Sequence, residues 1–151
     1  MHGPSEERQR SAPPWGPGFL GVDSWIYRLE YALAFVAILG ILIVWPWLLL
    51  KDLPAGSIVL AVFWFLWPDL GAFLPIGLAT GKGREWPRWG PSLYNALHTW
   101  ITFGAVFVVW SVVVGSIEWP VLGWAAHIAL DRASGFSLRA AAAPHPGSPS
   151  K

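Results

Sequence analysis

Cysteine is absent from the 151 residues, which removes disulfides, thiol chemistry, iron–sulfur clusters and cysteine-bound structural zinc together. Charge is nearly as scarce. Only 13% of residues are charged against 54% hydrophobic, too little polar surface for a soluble domain of this length, so the bilayer is the natural solvent. The net charge of +1 comes without a continuous basic stripe, which argues against a nucleic-acid partner. No internal repeat and no second domain is visible. His, Asp, Glu and backbone carbonyls are left as the ligand-forming groups.

What the chain does have is long apolar runs. Four are read, at about 31–50, 58–79, 93–117 and 119–132, giving an expected all-α, four-helix transmembrane bundle over 24–135 with tails at 1–23 and 136–151. Arg8, Arg10 and Arg28 precede the first run, Lys82, Arg84 and Arg88 separate the second from the third, and Arg132, Arg139 and Lys151 follow the fourth. Lys51 alone lies opposite. Short loops rich in Lys and Arg stay in the cytoplasm, so both termini are expected there, in a multi-pass protein of a bacterial inner (cytoplasmic or intracytoplasmic) membrane.

The tails are rich in Pro, Gly and charge and cannot fold alone. The first run starts about thirty residues in, runs about twenty and lacks a small-residue cleavage site, unlike a removable leader. Asp23 or Ser24 is placed to cap the first helix, and Trp45-Pro46-Trp47 marks its far end. Pro68-Asp69 is expected to interrupt the second span, with a further break possible at Pro75. The third span is expected to be the longest and most regular. The fourth, about 14 residues or roughly 20 Å of helix, must be covered by its neighbours or dip only part-way.

Polar and ionisable groups within spans are costly and mark function or pairing. Here they are Asp69; Tyr94, Asn95 and His98; and His127, Asp131 and Arg132. Tyr94 and His98 stand four apart, Asn95 and His98 three, His127 and Asp131 four, so each set shares a helix face. Depth brings the sets to one half of the membrane, joined by Asp69 if the second span bends. Two imidazoles and two carboxylates suit zinc, iron or manganese, with Asp69, His98, His127 and Asp131 as ligands. Two other readings stay open: interhelical hydrogen-bonding glue that includes Tyr94, Asn95 and Arg132, and ligation or contact of a bacteriochlorophyll or carotenoid at His98 or His127. The tryptophans inside the spans are read mainly as packing.

The segments Trp67-Pro68-Asp69-Leu70, then Leu93-Tyr94-Asn95-Ala96-Leu97-His98-Thr99, then Ala126-His127-Ile128-Ala129-Leu130-Asp131-Arg132 with Gly135-Phe136-Ser137-Leu138-Arg139 resemble a family of small bacterial four-helix membrane proteins of unknown activity. That family carries Pro-Asp, Tyr-Asn-x-x-His and His-x-x-x-Asp-Arg followed by Gly-Tyr-Gly-Leu-Lys. Phe136 and Ser137 depart from it and remove a phenolic hydroxyl. The resemblance implies a four-helix inner-membrane protein and no activity. The Trp-rich surface motivates the functional expectation, a non-catalytic accessory subunit of a larger photosynthetic or respiratory membrane complex, with other membrane subunits and lipids as partners. The alternative is an intramembrane metal-dependent hydrolase; a lipid or pigment carrier would need a larger cavity.

Overall fold

The computed structural model describes residues 24–50, 55–80 and 86–139. Both tail tips, the Lys51 turn and the Lys82–Arg84 part of the basic loop lie outside the described residues, as does Asp23. Among the described residues every regular element is helical: α1 (Trp25–Leu50), α2 (Ala55–Thr80), α3 (Gly90–Leu97), α4 (Trp100–Val114), a 3-10 turn (Trp119–Val121) and α5 (Leu122–Ser134).

Among the described residues two helices are long and apolar enough to cross a membrane, over Trp25–Val44 and Gly56–Thr80. A third crossing results if α3 and α4, bent by 60° at their junction, count as one broken span. That break corrects the expectation of an uninterrupted third span. The second span departs in the opposite sense, since α2 runs unbroken through Pro68 and Pro75. Proline removes one intrahelical hydrogen bond, but neighbouring helices let a membrane helix accommodate the loss, and Pro68 is fully buried.

The short α5 is the core of the molecule. Thirteen residues make about 20 Å of helix, too little for a hydrocarbon layer of about 30 Å, and residues 123–129 are buried throughout. It packs on both α1 and α2. Gly123 makes that approach possible, because a methyl there would land on the Ala61 carbonyl of α2. A smaller cluster of Ala72, Ile76 and Tyr94, flanked by Trp86 and Leu97, joins α2 to α3. By contrast α4 has no buried residue, and Ile101, Val112 and Val113 stand outward as expected of a lipid-facing rod. Tryptophans inside the spans pack on one another, with Trp64 stacked on Trp124 at 6.0 Å and edge-on to Trp67 and Trp110 at 6.3 Å.

Candidate metal centre

Two helices and one helix break carry the polar side chains to a single point. Asp69 comes from the middle of α2, His98 from the residue that ends α3, and His127 and Asp131 from one face of α5. His98 Nε2 lies 3.4 Å from His127 Nε2 and 3.4 Å from Asp69 Oδ1, while His127 Nε2 is 3.7 Å from the same Asp69 oxygen. Donor atoms of these three residues all lie within 4.8 Å of one another. Asp131 Oδ2 stands 3.7 Å from His98 Nε2 and 3.6 Å from His127 Nε2, outside that closest group. All four sequence-selected ligands therefore meet, and α2 needs no bend at Pro68 to bring Asp69 there.

Burial differs sharply across the cluster. Both imidazoles are buried, Asp131 is 19% exposed and Asp69 is 47% exposed. The centre is thus closed by α5 and open on the Asp69 side.

A backbone carbonyl fixes the His98 ring. His98 Nδ1 is 2.8 Å from the Tyr94 carbonyl, which can only accept, so Nδ1 carries the proton and the neutral ring turns a bare Nε2 lone pair toward the cluster. The Phe65 backbone lies beside His127. A ring nitrogen donating to a carbonyl while the other faces a ligand set is the usual outer support of metal-bound histidine. Rings add further restraint: Tyr94 stacks on His98 at 3.9 Å and 17°, and Phe65 meets His127 edge-on at 5.3 Å.

The break between α3 and α4 is held by the same neighbourhood. Thr99 caps α4 by accepting from the Thr102 N–H at 3.3 Å. Of the carbonyls freed at the break, Leu97 accepts from Trp124 Nε1 at 2.8 Å and His98 from the Arg132 guanidinium at 3.0 Å. Arg132 also donates to the Phe136 carbonyl at 2.8 Å, tying the turn after α5 to the break. Asn95 exchanges two hydrogen bonds with the Arg139 backbone, at 2.7 and 2.8 Å. Tyr94, Asn95 and Arg132 thus surround the centre and contribute no donor atom to it. Sequence reasoning missed Phe65 and Trp124, which act through a ring edge and an indole N–H. The spacing of Phe65 four residues before Asp69 was the one available signal.

Comparison with protein-family models, with curated proteins and with solved structures found no match. The four-helix resemblance stays an expectation carried by the three motifs alone.

Proposed function

We propose that the chain is a four-pass inner-membrane protein with cytoplasmic termini, and that Asp69, His98 and His127 hold a divalent cation in an intramembrane metal-dependent hydrolase. The observation that carries this reading is the set of separations of 3.4–3.7 Å among two imidazole Nε2 atoms and two carboxylate oxygens. Donors about 2.0–2.1 Å from a tetrahedral zinc ion lie roughly 3.3–3.4 Å apart. Without a cation, the two imidazole nitrogens would face each other and the two carboxylates across those distances in a site of low dielectric. A proton on one imidazole makes that ring's own contacts favourable; a divalent cation does so for both rings and Asp69 together.

Three protein ligands leave a fourth position, the arrangement that activates water in catalytic zinc sites. Asp131 stands beside it as general base, close to both rings without belonging to the compact triad. Access fits, since the exposed member is Asp69. Pigment ligation is less well supported, because the two Nε2 atoms face each other at 3.4 Å and a macrocycle could sit on neither without parting them. The accessory-subunit reading rests on apolar surface that lipid alone would cover.

Elemental analysis of gently purified protein tests the assignment. About one zinc, iron or manganese per chain is expected, lost in Asp69→Asn and in the His98→Ala, His127→Ala double variant, and retained in Asp131→Asn. Asp69 is half exposed, so its variant separates metal loss from misfolding. A metal-free chain recovered in a stoichiometric complex with other membrane subunits would favour the accessory role instead.

A further inference from the structure

A cavity of about 440 Å³ lies between α3 and the segment that follows α5, within the range of about 300–1,000 Å³ typical of small-molecule sites. Tyr94 lines it from α3, and Gly135, Phe136, Ser137, Leu138 and Arg139 line it from the segment. Two hydrogen bonds from Asn95 to the Arg139 backbone, at 2.7 and 2.8 Å, and one from Arg132 to the Phe136 carbonyl, at 2.8 Å, hold that segment in place.

The chemistry of the lining selects an anion. It brings one full charge, the Arg139 guanidinium, and no carboxylate. Among the described residues no carboxylate pairs with that guanidinium, and none of its N–H groups donates to a protein acceptor. Its Cζ atom lies 4.6 Å from the centre of the Trp86 ring and 5.4 Å from that of Tyr94, contacts that place the cation without consuming a hydrogen-bond donor. Backbone groups act in the same direction. The carbonyls of Phe136 and Arg139 already accept from Arg132 and Asn95, whereas the N–H groups of Ser137 and Leu138 have no acceptor among the described residues. A cation would meet Arg139 as a like charge. A phosphate meets a planar donor fork that matches its oxygens.

The surroundings bear on the source of the phosphate. Phe136 and Leu138 are exposed apolar side chains that alternate with Ser137 and Arg139 along the segment, and Trp86 is of the type that settles at headgroup level. We infer that this cavity binds a phosphate group, with Arg139 as its cation, and the apolar neighbours favour the headgroup of an anionic phospholipid over the free ion. The site stands apart from the metal-centre reading, because none of its donors belongs to the Asp69, His98 and His127 set.

Native mass spectrometry of the full chain, released from a neutral detergent and titrated with phosphatidylglycerol, tests the assignment. One lipid per chain should bind ahead of any others, and its dissociation constant should rise about tenfold in Arg139→Gln, as expected for loss of one charge-assisted contact. Ser137→Asp, at an exposed position, sets a carboxylate in the lining and leaves Arg139 on Trp86. It should weaken binding by a similar factor, and it decides the matter should Arg139→Gln accumulate poorly. Arg88→Gln removes an exposed basic residue outside the lining and should leave the constant unchanged. Glycerol phosphate separates the two sources: competition at the lipid's own concentration assigns the phosphate site to the free anion, and competition only at far higher concentration assigns it to the lipid. The inference is overturned if diacylglycerol, which lacks the phosphate, binds as tightly as phosphatidylglycerol. It is equally overturned if Arg88→Gln weakens binding as much as Arg139→Gln, or if both lining variants bind like the wild type.

Discussion

At the scale of single residues, Arg132 shows how a charge inside an apolar chain is made tolerable. It is buried, and its guanidinium spends its donors on the carbonyls of His98 and Phe136 rather than on the neighbouring Asp131, which leaves that carboxylate facing the imidazoles. A hydrogen bond from a charged donor contributes about 1.5–3 kcal/mol. Arg139, whose guanidinium lies 4.6 Å over the Trp86 ring, makes a cation–π contact of about 0.5–1 kcal/mol at an exposed site. Arg132→Ala should therefore lower the thermal midpoint in detergent clearly more than Arg139→Ala. Equal midpoints would mean that water satisfies the two carbonyls and that Arg132 is not a structural clamp.

At the scale of elements, α3 and α4 part at His98–Thr99, where there is neither proline nor glycine, while α2 continues through both. The polar spacings were legible: four residues between His127 and Asp131 place both on one face of α5, and that face is where the structure puts them. The break at His98 and Thr99 was not legible, because what stabilises it is tertiary. Thr99 is an ordinary capping residue, but the freed carbonyls are captured by Trp124 and Arg132 from a helix more than twenty residues away. Pro68 misled for the complementary reason, since a kink depends on what surrounds the missing hydrogen bond and not on proline alone. Trp124→Phe keeps the stacked ring yet removes the donor to Leu97. It should loosen the break, displace His98 and reduce metal retained after dialysis severalfold, whereas Trp110→Phe, which alters a ring contact on the exposed α4, should retain it. Full metal retention in Trp124→Phe would show that the break holds without its indole cap.

At the scale of the whole molecule, the number of crossings follows from the bent α3–α4 pair and the short α5. α1 and α2 suffice for two crossings, and the bent α3–α4 pair is either a third or a re-entrant dip. With an odd crossing at α3–α4, the short α5 would return the chain if the basic C-terminal segment is to share the side of the basic N-terminal one, as expected from the distribution of Lys and Arg. Burial of α5 between α1 and α2 is compatible with that return, because a helix shorter than the hydrocarbon layer can cross where protein rather than lipid surrounds it. The turn at Ser116 separates the two cases: a crossing puts it opposite the termini, a dip puts it on their side. Since the chain has no cysteine, a single introduced thiol reports its own position. Ser116→Cys should react with a membrane-impermeant maleimide in spheroplasts, while Ser137→Cys, also exposed, should react only after lysis. Labelling of both solely after lysis would leave α3–α4 re-entrant and reduce the protein to two spans, with the proposed metal centre reached through a dip in place of a bundle.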